Sequence, residues 1–201
     1  QEIDEEVCRN IGYAFAKFLL EEDPQATKII VGVDMRLSSE SLSDQFVKGI
    51  LALGLDVIHL GLSSTDMLYY ASGSLGAPGA IFTASHNPAE YNGIKLCRAH
   101  AAPIGEGSGL ERIKSLANTV TEIPDESNGA VTHFDLLEGF TEHILSFVKP
   151  EVITGKKIVA DTANGMGGLI VPSVFAQIPS EVDILYEELD GSFPNHPADP
   201  L

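Results

Sequence analysis

Ser85, His86 and Lys95 are the residues of this sequence whose types and spacing could do chemistry together. Ser85 and His86 lie in Thr83-Ala84-Ser85-His86-Asn87-Pro88, after an apolar run from Gly79 to Phe82 and before Gly93-Ile94-Lys95-Leu96. Both flanks read as strands. The connection between them, roughly ten residues, is too short for a helical crossover, so the strands are expected to pair antiparallel around an oversized loop. A long loop at the carboxyl end of a strand is where α/β proteins place ligands. The hairpin by itself brings Ser85, His86 and Lys95 together.

Three accounts of the loop compete. Turn chemistry is the first: Pro88 pushes Asn87 out of the helical region, and Asn87 can make an Asx-type turn. A serine hydrolase is the second. Its nucleophile elbow needs glycines two residues before and after the serine, leading into a helix. Here those positions are Thr83 and Asn87, and a returning strand follows, so the hydrolase is rejected. The third account is a phosphate carrier. A phosphorylated serine adds about −1.5 to −2 charge and three acceptor oxygens. His86 and Lys95 would offset that charge or move protons during transfer.

The elements that must position these residues follow a β-loop-α rhythm. Ile3, Val7, Ile11, Phe15, Phe18 and Leu19 repeat at helical spacing, with Asp4-Glu5-Glu6 at the dipole's positive end and Asp23-Pro24 as the stop. Lys28–Val33 reads as a buried parallel strand, and Ser38 or Ser39 is expected to cap a helix running to about Leu53. Val57–Leu60 predicts the next strand, then a short helix through Tyr70 capped by Thr65 or Ser64, and a glycine-rich turn over Gly73–Gly79. Beyond Arg98 come an Ala/Pro/Gly loop, a helix near Leu110–Ala117, a polar stretch over Thr119–Gly129 and an amphipathic helix over Phe134–Val148.

Lys149 to Gly155 reads as a linker. A second βαβ unit then starts with Lys157–Ala160, turns through the glycine-rich Asp161–Gly168, and reaches a strand at Asp183–Leu185. The expected fold class is α/β. Residues 1–150 form a domain with a mixed, mostly parallel sheet and helices on both faces, three strands parallel and Gly93–Cys97 antiparallel. Residues 155–201 form the first part of a second α/β domain, too short to bury much apolar surface alone. The chain opens Gln1-Glu2-Ile3 rather than on Met, and reads as a piece of something longer.

Composition narrows the partners. There are 12 Lys+Arg against 29 Asp+Glu, a formal net charge of −17. Nothing in that balance supplies a basic footprint for nucleic acid or an anionic membrane. No apolar run approaches the roughly 18 residues of a spanning helix. Cys8 and Cys97 have no metal-type spacing and read as the thiols of a reducing cytoplasm.

The stretch Gly79–Leu96 resembles the active-serine loop of the α-D-phosphohexomutases, and its Tyr91-Asn92-Gly93-Ile94-Lys95-Leu96 extension resembles their phosphomannomutase/phosphoglucomutase branch. Three further stretches agree in order and spacing: Val31–Ser39, Asp161–Gly165 and Phe193–Pro200. The resemblance implies that Ser85 is phosphorylated and exchanges its phosphoryl group with a hexose 1- or 6-phosphate through a bisphosphorylated sugar. It further implies Mg²⁺ held by the Ser85 phosphate and three aspartates, with glucose or mannose 1,6-bisphosphate as activator and intermediate.

By the same resemblance His86 contacts the reacting groups, Lys95 moves a proton and Asn87 shapes the loop. Arg36, with Asp34, is a phosphate or metal contact or a structural pair bracing the strand exit. Asn164 and Gly165 suggest an anion site by composition, and an architectural turn by resemblance. Asp66 stands where the family usually has proline. His59, His100, His133 and His143 read as surface or packing residues, and His196 has no ligand spacing.

The aspartate-rich metal loop and the sugar-recognition and distal phosphate loops have no counterpart in this sequence. The 201 residues alone are therefore expected to be inactive, their partners being a hexose phosphate and the remaining domains of the same enzyme. The alternative is a non-catalytic phosphate- or partner-binding α/β module that retains the loop.

Overall fold

The β-branched run Lys28–Val33 forms β1, flanked in space by β2 (Asp56–Leu62) on one side and β3 (Gly79–Phe82) on the other. This is a computed structural model, and it describes residues 3–125 and 128–199. Two positions of the polar stretch, Glu126 and Ser127, and the last proline of the Phe193–Pro200 motif lie outside the described residues. Five further strands are described: β4 (Ile94–Arg98), β5 (Ala102–Ile104) and β6 (Val131–His133) join the first sheet, in the order β5-β4-β3-β1-β2-β6, and β7 (Lys157–Asp161) pairs in parallel with β8 (Glu181–Leu185) in a second.

The first sheet is more parallel than expected. β1 pairs in parallel with both β2 and β3, and β2 with β6. The β3–β4 hairpin is antiparallel as expected, with Ile81 opposite Lys95, and β5 reverses again. Only β4 therefore runs against the rest.

Helices cover both faces. α1 (Glu5–Glu22), α2 (Ser39–Leu51) and α4 (Leu110–Asn118) pack on one, around Phe15, Phe46 and Phe82. α3 (Thr65–Leu75) and α5 (Leu137–Leu145) cover the other, around Leu68 and Phe140, where α6 (Gly167–Phe175) meets them. β1 and β3 stay paired to their carboxyl ends, but the connections leaving them run to opposite sides, from β1 through α2 to β2 and from β3 into the hairpin with β4, which opens a crevice above that end. That crevice is where open α/β sheets hold ligands.

Several local expectations give way to tertiary context. Ser38 makes no side-chain cap on α2, because the hydroxyls of Ser38 and Ser39 accept from the Asn92 amide instead. α3 does not stop at Tyr70. Ser64 caps it through the Met67 N–H, and it continues past Gly73 to Leu75, ended by Gly76 at φ +59. Of Gly73, Gly76 and Gly79, Gly76 is the one that takes the left-handed turn glycine tolerates. α5 is shorter than its apolar pattern, and Phe134 and Phe147 lie exposed outside it. β5 stands where a loop was expected, and β6 where the sequence suggested no element. Each is three residues long, too short for a period to show, and β5 carries Pro103 on an edge that needs no donor.

Candidate functional site

Ser85 owes its exposed position to a loop whose backbone is tied down on every side. Thr83 N–H donates to Gly93 O at 3.0 Å, closing the hairpin below the loop. Thr83 Oγ1 accepts from Ser85 N–H, and Ala84 O accepts from both Asn87 N–H and Asn87 Nδ2. The Asn87 side chain thus reaches back as a donor instead of forming the Asx turn expected of it. Between these anchors Ser85 adopts φ 54, a left-handed conformation that costs a non-glycine residue about 1–3 kcal/mol. The turn lifts Oγ to the surface, 3.3 Å from His86 Nδ1.

Arg36 holds the loop from beneath. Its side chain is fully buried, and its two terminal nitrogens donate to four loop carbonyls: Pro88 at 2.7 Å, Asn87 at 2.8 Å, Ser85 at 2.9 Å and Tyr91 at 3.1 Å. Its Nε lies 3.2 Å from Asp34 Oδ2, close enough for ion pairing though not aligned as a hydrogen bond. Asp34 Oδ1 accepts from Arg36 N–H and from Ser39 Oγ at 2.6 Å. Asp34 and Arg36 therefore form a buried bracket under the loop, and every donor of Arg36 points into protein.

The bracket is possible because β1 ends beside Ser63. Gly32 faces the Ser63 side chain so closely that a Cβ there would collide with its hydroxyl. This close approach lets the exit loops of β1, β2 and β3 converge at one end of the sheet.

The converging loops enclose a cleft of ≈ 630 Å³ that brings Ser85, His86 and Lys95 to one wall region. Lys95 reaches it from β4, two residues after the loop closes. Asn87 does not line the cleft, and Arg36 lies behind it. The opposite walls come from Ser63 to Asp66 and Tyr69 of the β2–α3 connection, from Thr162, Ala163, Gly165 and Met166 of the β7–α6 loop, and from Phe193; of these, sequence reasoning suggested a ligand for Gly165 alone. The β2 exit could have been found from the rule that strand carboxyl ends converge. Phe193 opens the Phe193–Pro200 motif, but nothing local marks it as a cleft residue.

The other flagged residues are structural. Asn164, buried at φ +58, donates to Glu188 O and accepts from Asn195 Nδ2, tying the last segment to the turn. His196 hydrogen-bonds to Asp161, and this bond, with that to Pro197 O, raises the imidazole pKa above its ordinary value. His59 lies on β2 beside His133, its pKa lowered by burial first and by that neighbour second. Burial, with Asp4 and Glu5 nearby, pushes the Cys8 thiol up to about 12. Among the described residues no cluster of three His, Cys, Asp or Glu could hold a metal ion, and no helix is long and apolar enough to cross a membrane.

Residues 1–123 match the family model described as phosphoglucomutase/phosphomannomutase, alpha/beta/alpha domain I. A phosphomannomutase of Vibrio cholerae is 34% identical over 206 residues, covering 100% of this chain and 44% of that protein. A phosphohexose mutase of Xanthomonas campestris is 35% identical over 201 residues, again covering 100% of this chain and 44% of the relative. The crystal structure of a phosphoglucomutase/phosphomannomutase family protein from Burkholderia thailandensis superimposes with a TM-score of 0.82 at 26% identity, covering 97% of this chain and 43% of that one. The chain thus spans less than half the length of these relatives.

Proposed function

The chain belongs to the phosphoglucomutase/phosphomannomutase family, and on that premise we propose that Ser85 is the phosphoryl carrier of a mutase that interconverts hexose 1- and 6-phosphates. The observation that carries the reading is the loop itself. An exposed Ser85 Oγ is held in a left-handed turn over a buried Arg36, with His86 and Lys95 on the same cleft.

In this reading the Ser85 Oγ–phosphorus bond forms as the bond from phosphorus to a sugar oxygen breaks. The hydroxyl proton must leave Oγ, and His86 Nδ1 at 3.3 Å is within reach to accept it. The Lys95 ammonium supplies positive charge beside the transferring group, or the proton for the departing sugar oxygen. Phosphoryl transfer is mostly positioning and charge neutralisation, so a rigid loop flanked by cations suits it. The bisphosphorylated sugar then reorients and returns its other phosphoryl group to Ser85.

The residues present do not make a magnesium site by themselves. Asp34, a carboxylate lining the cleft, is committed to Arg36 and Ser39. In this proposal Mg²⁺ would meet only the Ser85 phosphate from this chain, its carboxylate ligands coming from elsewhere in the complete protein. The remaining domains would likewise supply recognition of the sugar. A cytoplasmic setting accords with two buried, unpaired thiols.

Phosphopeptide mapping tests the reading. After incubation of the complete protein with Mg²⁺ and glucose 1,6-bisphosphate, phosphate should appear on the peptide containing Ser85 and be absent from Ser85→Ala. A Ser85 that stays unmodified would leave a binding module and end the mutase proposal.

A further inference from the structure

The Arg36 guanidinium has its edge spent on four loop carbonyls, yet its flat face would lie open to the cleft without a cover. That cover comes from far along the chain. The Phe193 ring stands 5.2 Å from the guanidinium carbon, on the segment that follows β8. Phe193 also lines the cleft beside Ser85, and shares a second hollow with Pro88 and Ala89 on the loop's far side.

The segment is built to hold the ring there. Gly191 presses on the β1 exit loop so closely that a Cβ would fall 2.5 Å from Met35 O and 2.6 Å from Arg36 Cα. Asp190 then accepts from the N–H and hydroxyl of Ser192, and its carbonyl accepts from Phe193 N–H. Phe193 itself takes φ 52, an unfavourable conformation for an aromatic residue that aims the ring inward. On its other side Asn195 is bonded to Asn164 and His196 to Asp161.

We propose that Phe193 is a positioning residue for the Ser85 loop: by stacking on Arg36 it keeps water off the guanidinium and locks the four-carbonyl bracket that holds Ser85 in its left-handed turn. The loop's shape thereby depends on a segment about 100 residues away, a separation readable from the numbering, so the second α/β unit sets the geometry of a serine carried by the first. The inference rests on the phosphoserine reading only for its kinetic consequence. The bracket itself is independent of it.

Two readouts in the complete protein test it. Phe193→Ala should raise amide exchange across residues 84–92 by about tenfold, the scale of a desolvated cation–π contact, without raising it in β7 and β8. The same variant should lower kcat for hexose phosphate turnover by about tenfold while KM stays within about twofold, because the carrier and not the sugar is misplaced. Phe193→Tyr, which keeps the ring, should restore both, and Phe193→Leu should restore neither fully.

Unchanged exchange in Phe193→Ala overturns the proposal. So does exchange that rises equally in β7 and β8, or a Tyr variant as impaired as the Ala variant. A protein whose loop exchange responds to Phe193→Ala while Ser85 never takes up phosphate upholds the bracket and removes the mutase reading.

Discussion

Arg36 and Asp34 lie beneath the Ser85 loop, and their environment assigns them a mechanical role. Both are buried, and removing one strands the other. Arg36→Ala should destabilise the protein by about 3–5 kcal/mol, since it leaves a buried carboxylate unpaired and four carbonyls without donors. Urea unfolding measures this, and a loss below about 1 kcal/mol would mean the bracket is not tied as described. His196 offers a pH test. An acceptor faces each ring nitrogen, Pro197 O at 2.8 Å and the Asp161 carboxylate at 3.1 Å, so the arrangement favours the doubly protonated ring. Its pKa is raised, first by the Asp161 bond, and that of Asp161 is lowered, first by the His196 bond. The histidine's contribution is complete below its unfolded value and disappears as pH rises through the raised folded one. The aspartate's is complete above its unfolded value and disappears as pH falls through the lowered folded one. The pair is therefore fully formed between roughly pH 4 and pH 6.5. The stability gap between wild type and His196→Gln should narrow as pH rises above about 6.5 and through the raised folded value, and a constant gap in urea midpoints would contradict the pairing.

At the scale of elements, the site is positioned by how closely backbones approach. α1 and α2 cross at two glycines. A Cβ at Gly12 would collide with the Phe46 carbonyl, and one at Gly49 with the Arg9 carbonyl. No side chain separates these helices there, which seats α2, and with it Ser39 under Asp34, directly behind the β1 exit loop. Gly49→Ala should therefore cost about 1–3 kcal/mol by forcing the helices apart, read as a lowered Tm. A neutral effect would mean that the crossing can widen freely. Gly191, lying against the same loop from the other side, obeys the same constraint. The β1 exit loop, which carries Arg36 under the Ser85 hairpin, is thus fixed by close backbone contacts, and the hairpin is held through Arg36.

For the whole molecule, the cleft has a floor and walls but few groups for an anionic sugar. Lys95 is the lysine that lines it, in a chain of net charge −17. The second sheet is two strands with Val159 and Leu185 exposed, so the 201 residues expose apolar surface of the kind that marks an interface. The purified 201-residue chain should accordingly show no measurable turnover of mannose or glucose 1-phosphate in a coupled assay. Turnover at a rate approaching that of the complete protein would show that the remaining domains are dispensable.

The sequence by itself determined the α/β class, the β3–β4 hairpin and the conjunction of Ser85, His86 and Lys95, because these depend on local period, chain length and residues near in number. Four motifs in register also marked the family, because each is a short stretch readable from residues near in number. The sequence did not reveal β5 or β6, since three-residue strands exist only where a neighbour offers pairing. Nor did it reveal the end of α3, where helix packing carried the chain past Gly73. Above all, the dependence of the Ser85 loop on Phe193 was decided by tertiary structure alone. An aromatic ring has no preferred partner until folding buries a guanidinium and leaves one face of it without a cover.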